Sequence, residues 1–335
     1  MQGALLRATL TLDSYVRFCP QGLGGVSADR AIMGGMDVEQ LARGDVVSAA
    51  WLSAAGHSDA AIASAVRAGR LVPLLRGWYS VRPARDARDL HWLRATAAWR
   101  RFGGRALLSH QSLLVAQNLP DYALDLGVVH LTRKGPGTTR NGRGLKVHRP
   151  LPDLPAAVAD GLPDRVPTAV GIVQAGLEGL PLSALVAADA ALHRGLATVE
   201  QLDAACHLMA NCRGIGPVRA ILREADRRIE SPGESIIGHR LRALGYTLDP
   251  QFEVETDLGP RFADFRIRGT RVLVEFDGAQ KYGGKDAAFE EKRREDAMRR
   301  RGFFFARYVW AERDDVRLIG ARAAQAIADS RRWAA

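Results

Sequence analysis

Between Asp45 and Pro83 short apolar runs are punctuated by capping residues and glycines. Asp45 precedes a run over residues 46–55 that Gly56 closes, and Ser58 precedes a second over residues 59–68 that Gly69 closes. This spacing predicts two short helices joined by a tight turn. Leu71-Val-Pro-Leu-Leu and Gly77-Trp-Tyr-Ser-Val then read as two strands around Arg76-Gly77. Two helices followed by a two-stranded wing make a winged helix-turn-helix. Its second helix, opened by Ser58, would enter the major groove, with Arg67, Arg70 and Arg76 reaching phosphates.

Residues 84–225 form a mixed α+β middle domain. A helix is predicted over residues 90–101, a second opens at Ser109-His-Gln-Ser, and residues 128–132 and 145–149 read as strands. These strands flank a glycine-rich basic loop carrying Arg133, Lys134, Arg140 and Arg143, a phosphate-contacting hairpin by its charge. Alanine-rich segments 182–210 and 216–229 read as helices, broken at 211–217. From residue 230 onward the order is helix (from Ser231 or Gly233 to 244), strands at 252–255, 262–267 and 272–276, a charged helix over 286–301, a strand at 303–309 and a closing helix. A mixed sheet flanked by helices follows. The fold class is therefore α/β and α+β multidomain, divided as 1–40, 41–83, 84–225 and 230–335. The first 40 residues read as a poorly structured extension, and Met33 or Met36 would make an alternative start.

At 335 residues and 47% hydrophobic content the chain has core material for two or three globular units. Charge sharpens the picture. The formal net charge is +10, yet residues 61–150 alone hold sixteen Lys and Arg against four Asp, so the rest is slightly acidic. Arginine-rich coding bias does not confine a surplus to one region; attraction to a phosphate backbone does. DNA is the expected partner. Cys19, Cys206 and Cys212 show no paired short spacing, which fits a reduced cytoplasm better than a disulfide scaffold. No apolar run approaches the ~18–20 residues that span a bilayer, and Gly22-Leu-Gly-Gly25 follows no strand, so neither a membrane nor a nucleotide cofactor is expected.

The chemistry centres on residues 264–278. Val272 to Phe276 is a buried-strand pattern that nevertheless carries Glu275 and runs into Asp277, and a turn at Gly269-Thr270 would fold Asp264 back against Glu275. Carboxylates forced together at the edge of an apolar sheet repel unless a cation neutralises them. Mg2+, or Mn2+ in its place, is the expected ion, held by Asp264 and Glu275, while Glu234 would complete the cluster or bind a metal-linked water. His110, His130 and His148 match no ligand spacing and read as structural residues.

Residues 230–335 resemble the PD-(D/E)xK nuclease superfamily, and more closely its Vsr-like (very-short-patch-repair-like) branch. The resemblance rests on Glu230-Ser-Pro-Gly-Glu234-Ser, Pro250-Gln-Phe-Glu-Val254, Asp264, Val274-Glu-Phe-Asp-Gly278, Lys281-Tyr282 and Glu291-Lys-Arg-Arg-Glu295. It implies a restriction-endonuclease-like αβββαβ core with catalytic Glu234, Asp264, Glu275 and Asp277. The superfamily's lysine belongs two positions after Glu275, where this chain and the Vsr-like branch have Asp277; Lys281 or Lys292 would supply that cation. Residues 60–70 and Leu74-Leu-Arg-Gly-Trp-Tyr79 resemble the head of AbiEi-type antitoxins of type IV toxin-antitoxin systems. Ser109-His110, Val129-His-Leu-Thr132 and Val147-His-Arg149 resemble a composite actinobacterial family joining both parts; Val166-Pro-Thr-Ala-Val-Gly171 departs from it. Two functions follow: a Mg-dependent endonuclease, or an antitoxin-like DNA-binding transcriptional regulator, with a cognate toxin as partner, on an inactive nuclease fold.

Overall fold

The computed structural model describes residues 38–152, 164–278 and 284–334, the side chains of 284–291 and 334 excepted. The N-terminal extension up to residue 37, with Met33 and Met36, and Lys281 lie outside the described residues. The described residues form a mixed α/β protein with twelve helices and three small sheets, one antiparallel and two mixed. None of these helices is long and apolar enough to cross a membrane. Internal contacts divide the chain into two units, 1–179 and 180–335, a boundary that falls inside the segment 84–225.

In the first unit α1 (Val38–Leu41), β1 (Val46–Ser48), α2 (Ala49–Ala54), α3 (Asp59–Arg67), β2 (Val72–Leu75) and β3 (Trp78–Ser80) come first, and the strands pair in the order β1-β3-β2. The expected helix over 46–55 capped by Asp45 is not formed as such. Val46 and Val47 are β-branched and fully buried, and they pair with Ser80 and Tyr79 as a strand. The helix starts after them, and Ser48 Oγ accepts the Trp51 N–H at 3.1 Å as its cap. Asp45 instead takes a positive φ of 62° and accepts from Arg82 Nε at 2.8 Å. Ser58 does cap α3, and Val47, Leu52, Ile62, Ala65 and Leu71 close one core over these elements.

α4 (Ala87–Arg101), β4 (Ala106–Leu108), α5 (His110–Ala116), β5 (Val129–Arg133), β6 (Arg140–Gly142), β7 (Leu145–His148) and α6 (Thr168–Glu178) complete this unit. The sheet order is β4-β5-β7-β6. β5 and β7 run parallel, so the basic segment between them is not one hairpin; the antiparallel hairpin is the shorter β6–β7 pair. The parallel register sets Thr132 beside His148 and His130 beside Lys146.

The second unit opens with α7 (Pro181–His193), α8 (Val199–Leu208) and α9 (Ile215–Leu222). The expected single helix over 182–210 is interrupted where Gly195 takes a φ of 65°, after which Thr198 and Gln201 form a capping box for α8. Then follow α10 (Pro232–Ala243), β8 (Leu248–Thr256), β9 (Gly259–Ile267), β10 (Val272–Asp277), α11 (Gly284–Arg300), β11 (Phe304–Val309), a 3-10 turn at Trp310–Glu312 and α12 (Val316–Ala334). The sheet order is β11-β10-β9-β8, parallel between β10 and β11 and antiparallel elsewhere. Alternation along the strands sends Phe265, Ile267, Val272, Val274 and Ala306 into a core with Ile237, Leu241, Ile319 and Ala323 of the covering helices. The opposite parity of the same strands carries the charged residues.

Candidate active site

β9 and β10 pair with Leu273 opposite Arg266 and Val274 opposite Phe265, which makes Glu275 and Asp264 the next residues along the two strands. On the other side β11 sets Arg307 opposite Glu275. β8 brings Gln251 towards the same row, between Pro250 opposite Phe265 and Phe252 opposite Ala263. Gln251 has a φ of 50°, a left-handed conformation uncommon for a residue with a Cβ. Four polar side chains thus come from four adjacent strands at one level of the sheet. The hairpin expected from the sequence to join Asp264 and Glu275 is present, and the phenylalanine next to Glu275 ties it: the Phe276 N–H donates to Asp264 Oδ2 at 2.7 Å.

Glu275 is buried, its side chain 2% exposed, and two arginines hold it. Arg294 Nη2 donates to Oε1 at 3.2 Å and Arg307 Nη2 lies 2.9 Å from Oε2. Arg307 also reaches Glu295 at 3.0 Å and Asp277 at 3.6 Å, and it stacks over the Phe305 ring. A buried carboxylate requires this kind of pairing, because an uncompensated charge there costs several kcal/mol. Glu234 sits in the first turn of α10, where the Ser231 hydroxyl caps the helix by accepting the Glu234 N–H at 3.2 Å. Its own Oε2 accepts the Glu230 N–H at 3.0 Å, so the carboxylate is oriented before any ligand arrives.

A cleft of about 1120 Å³ is lined by Glu234, Gln251, Asp264 and Arg294 together with Arg227 and Arg228; Phe276 lines it too, whereas Glu275 and Arg307 do not. Asp264 and Glu234 are therefore brought together at one wall of one cleft. Lys292 is exposed on α11, and it is Arg294, two residues on, that enters the cleft. The cations at Glu275 are arginines, Arg294 and Arg307, where the sequence predicts a lysine. The signal for Arg307 was present, since an arginine inside the apolar strand Phe304–Val309 needs an acidic partner.

Gly233 is part of this geometry. A Cβ built there would stand 2.0 Å from the Phe276 ring, so the helix start and the strand end meet without a side chain between them. Gly233→Ala is expected to destabilise the second unit by about 1–3 kcal/mol through overpacking and to shift Glu234 in the cleft. Urea unfolding measures the cost, and Phe276→Leu in the same chain should return most of it.

In the first unit Ser58, Arg67, Arg70, Arg76, Lys134, Arg140 and Arg143 are exposed, and Arg133 is half-buried. Arg140 also lines a shallow cavity of about 290 Å³ with Arg101 and Arg105. Here the structure also brings together three histidines whose sequence spacings match no ligand pattern. His110 opens α5, His130 lies on β5 and His148 ends β7, and the parallel β5–β7 register draws them into one cluster. No sequence spacing could have shown this, because the parallel crossover decides it.

No protein-family model matches the chain, nor does any curated protein or solved structure.

Proposed function

We propose that this chain is a DNA-binding protein whose second unit, a Vsr-like PD-(D/E)xK domain, is a divalent-metal-dependent endonuclease. The observation that carries the reading is the row Gln251, Asp264, Glu275, Arg307 across four strands, with Asp264 and Glu234 lining one cleft. The order of helix, three strands, helix and strand supports it. So does the exposed basic surface of the first unit, whose two short helices and antiparallel wing strands suit a winged helix docked in a major groove.

The oxygen donors fit a hard cation. Asp264 accepts the Phe276 N–H and Glu234 accepts the Glu230 N–H, so both present oriented carboxylate oxygens, the donor type a hard cation takes. Glu275 fits as a ligand once Arg294 leaves its Oε1; Arg294 is half-buried at the cleft and can turn from that carboxylate to a phosphate. Mg2+ or Mn2+ held by Asp264, Glu275 and Glu234 would polarise the scissile phosphate and acidify a bound water. Arg227, Arg228 and Arg294 orient the phosphate backbone, and Glu234 positions a water. Arg294 occupies in space the cationic role that Lys281 and Lys292 were expected to fill, which needs no fixed sequence offset.

A second reading is favoured by one observation: Glu275 is already neutralised by Arg294 and Arg307. An antitoxin-like DNA-binding regulator, with a toxin as partner and a nuclease fold that no longer cuts, would show such a closed ion-pair network. Plasmid cleavage with Mg2+ or Mn2+ separates the two. Metal-dependent nicking abolished by Asp264→Ala and Glu275→Ala, and by EDTA, is the expected result. Equal DNA binding by wild type and variants with no cleavage across metals and substrates would leave the regulator.

A further inference from the structure

The three histidines of the first unit form a cluster that the nuclease reading does not use. One ring nitrogen from each of His110, His130 and His148 lies within 4.8 Å of the others. His130 Nδ1 and His148 Nε2 are already 3.0 Å apart, and the His110 and His148 rings stack with centroids 3.9 Å apart. Imidazole nitrogens around a tetrahedral ion stand roughly 3.3 Å apart, given Zn–N bonds of ~2.0–2.1 Å. The spacing of the set is thus within a small ring movement of coordination.

The surroundings are built to hold such a set. His110 and His130 are 6% and 1% exposed. The Ser109 hydroxyl lies 3.0 Å from His110 Nδ1, which fixes the ring and leaves Nε2 as the ligand atom. Ser112 accepts the His130 N–H at 2.8 Å and lies 2.9 Å from His91 Nε2, anchoring the strand that presents His130. The hydroxyl of Thr132, 1% exposed and beside His148 in the register, has no hydrogen-bond partner among the described residues. His110 also has a φ of 52°, a strained conformation of the kind that persists where the surrounding structure over-determines it.

We propose that His110, His130 and His148 bind one transition-metal ion of the Zn2+ class in the first unit. Three imidazoles suit Zn2+, Co2+ or Ni2+ and not Mg2+, whose preference is for oxygen. A tetrahedral ion would retain one position for water or another ligand. This site is separate from the carboxylates of the second unit and stands whether or not those cleave DNA.

The test uses the full chain, stripped with chelator and titrated with Co2+ by visible absorption, then with Zn2+ in competition. One equivalent should bind with tetrahedral Co2+ bands, be displaced by Zn2+ and raise the Tm. His148→Ala should lose the bands and the Tm shift, while Asp264→Ala should keep both. His148→Gln, which preserves bulk and hydrogen bonding, runs in parallel with circular dichroism, so that lost binding is not mistaken for lost fold. Absence of stoichiometric Co2+ binding by wild type overturns the proposal. So does binding that survives in a folded His148 variant, or that disappears with Asp264→Ala.

Discussion

Arg307→Met is expected to destabilise the second unit by about 3 kcal/mol at neutral pH, the lower end of what removing one partner of a buried ion pair costs. Arg307 faces Glu275 across the parallel β10–β11 register and is in contact with three carboxylates, Glu275, Asp277 and Glu295. Its removal takes the shorter of two arginine contacts, 2.9 Å against 3.2 Å for Arg294, from a buried carboxylate. The loss comes from stranding a charge, so it should be non-additive: Glu275→Gln in the Arg307→Met background removes that charge and should recover most of the stability. Urea unfolding of the four chains of this cycle is the measurement. A cost below about 1 kcal/mol, the range of exposed pairs, would mean that Arg307 does not hold Glu275 in the folded state.

Acid should unfold the first unit before ordinary acid denaturation begins. Burial is the main reason that His91, His110, His130 and His148 all hold protons more weakly than usual in the metal-free chain, His130 near 3 and His148 near 4, with Lys146 adding to the effect at the last three and Glu178 opposing it at His148. The unfolded chain takes up protons at about pH 6.5, whereas the folded one does so only at much lower pH. Between those values the unfolded state binds more protons, so stability is full above about pH 6.5 and falls as the pH is lowered towards 4 and 3. The slope reaches ~1.4 kcal/mol per pH unit for each such group, and His130 alone contributes a loss of about 2 kcal/mol by pH 5. Hydrogen exchange of the β5 amides between pH 7.5 and 4.5 follows the loss. His130→Gln, which cannot titrate, should lessen the slope by one group's share, and a wild-type profile level from pH 6.5 to 5 would rule the mechanism out.

Much of the second unit was legible in the sequence because its determinants are local. The β-branched run Val272–Val274, the tight turn before it and the proline after the Ser231 cap fix strand, hairpin and helix within a few residues. Val46 and Val47 are different. There a capping residue and a short apolar run fit a helix as well as a strand, and the pairing with Tyr79 and Ser80, more than thirty residues away, decided for the strand.

The sequence by itself determined which residue types would be buried, where the basic surplus falls, and that Asp264 and Glu275 would meet across a short hairpin. Only the tertiary structure decided what surrounds them. Arg307 reaches Glu275 because β11 returns parallel to β10, and three histidines assemble because β7 returns parallel to β5. Parallel strands need a crossover instead of a tight turn, so their register is set by packing between distant segments, which no local spacing encodes.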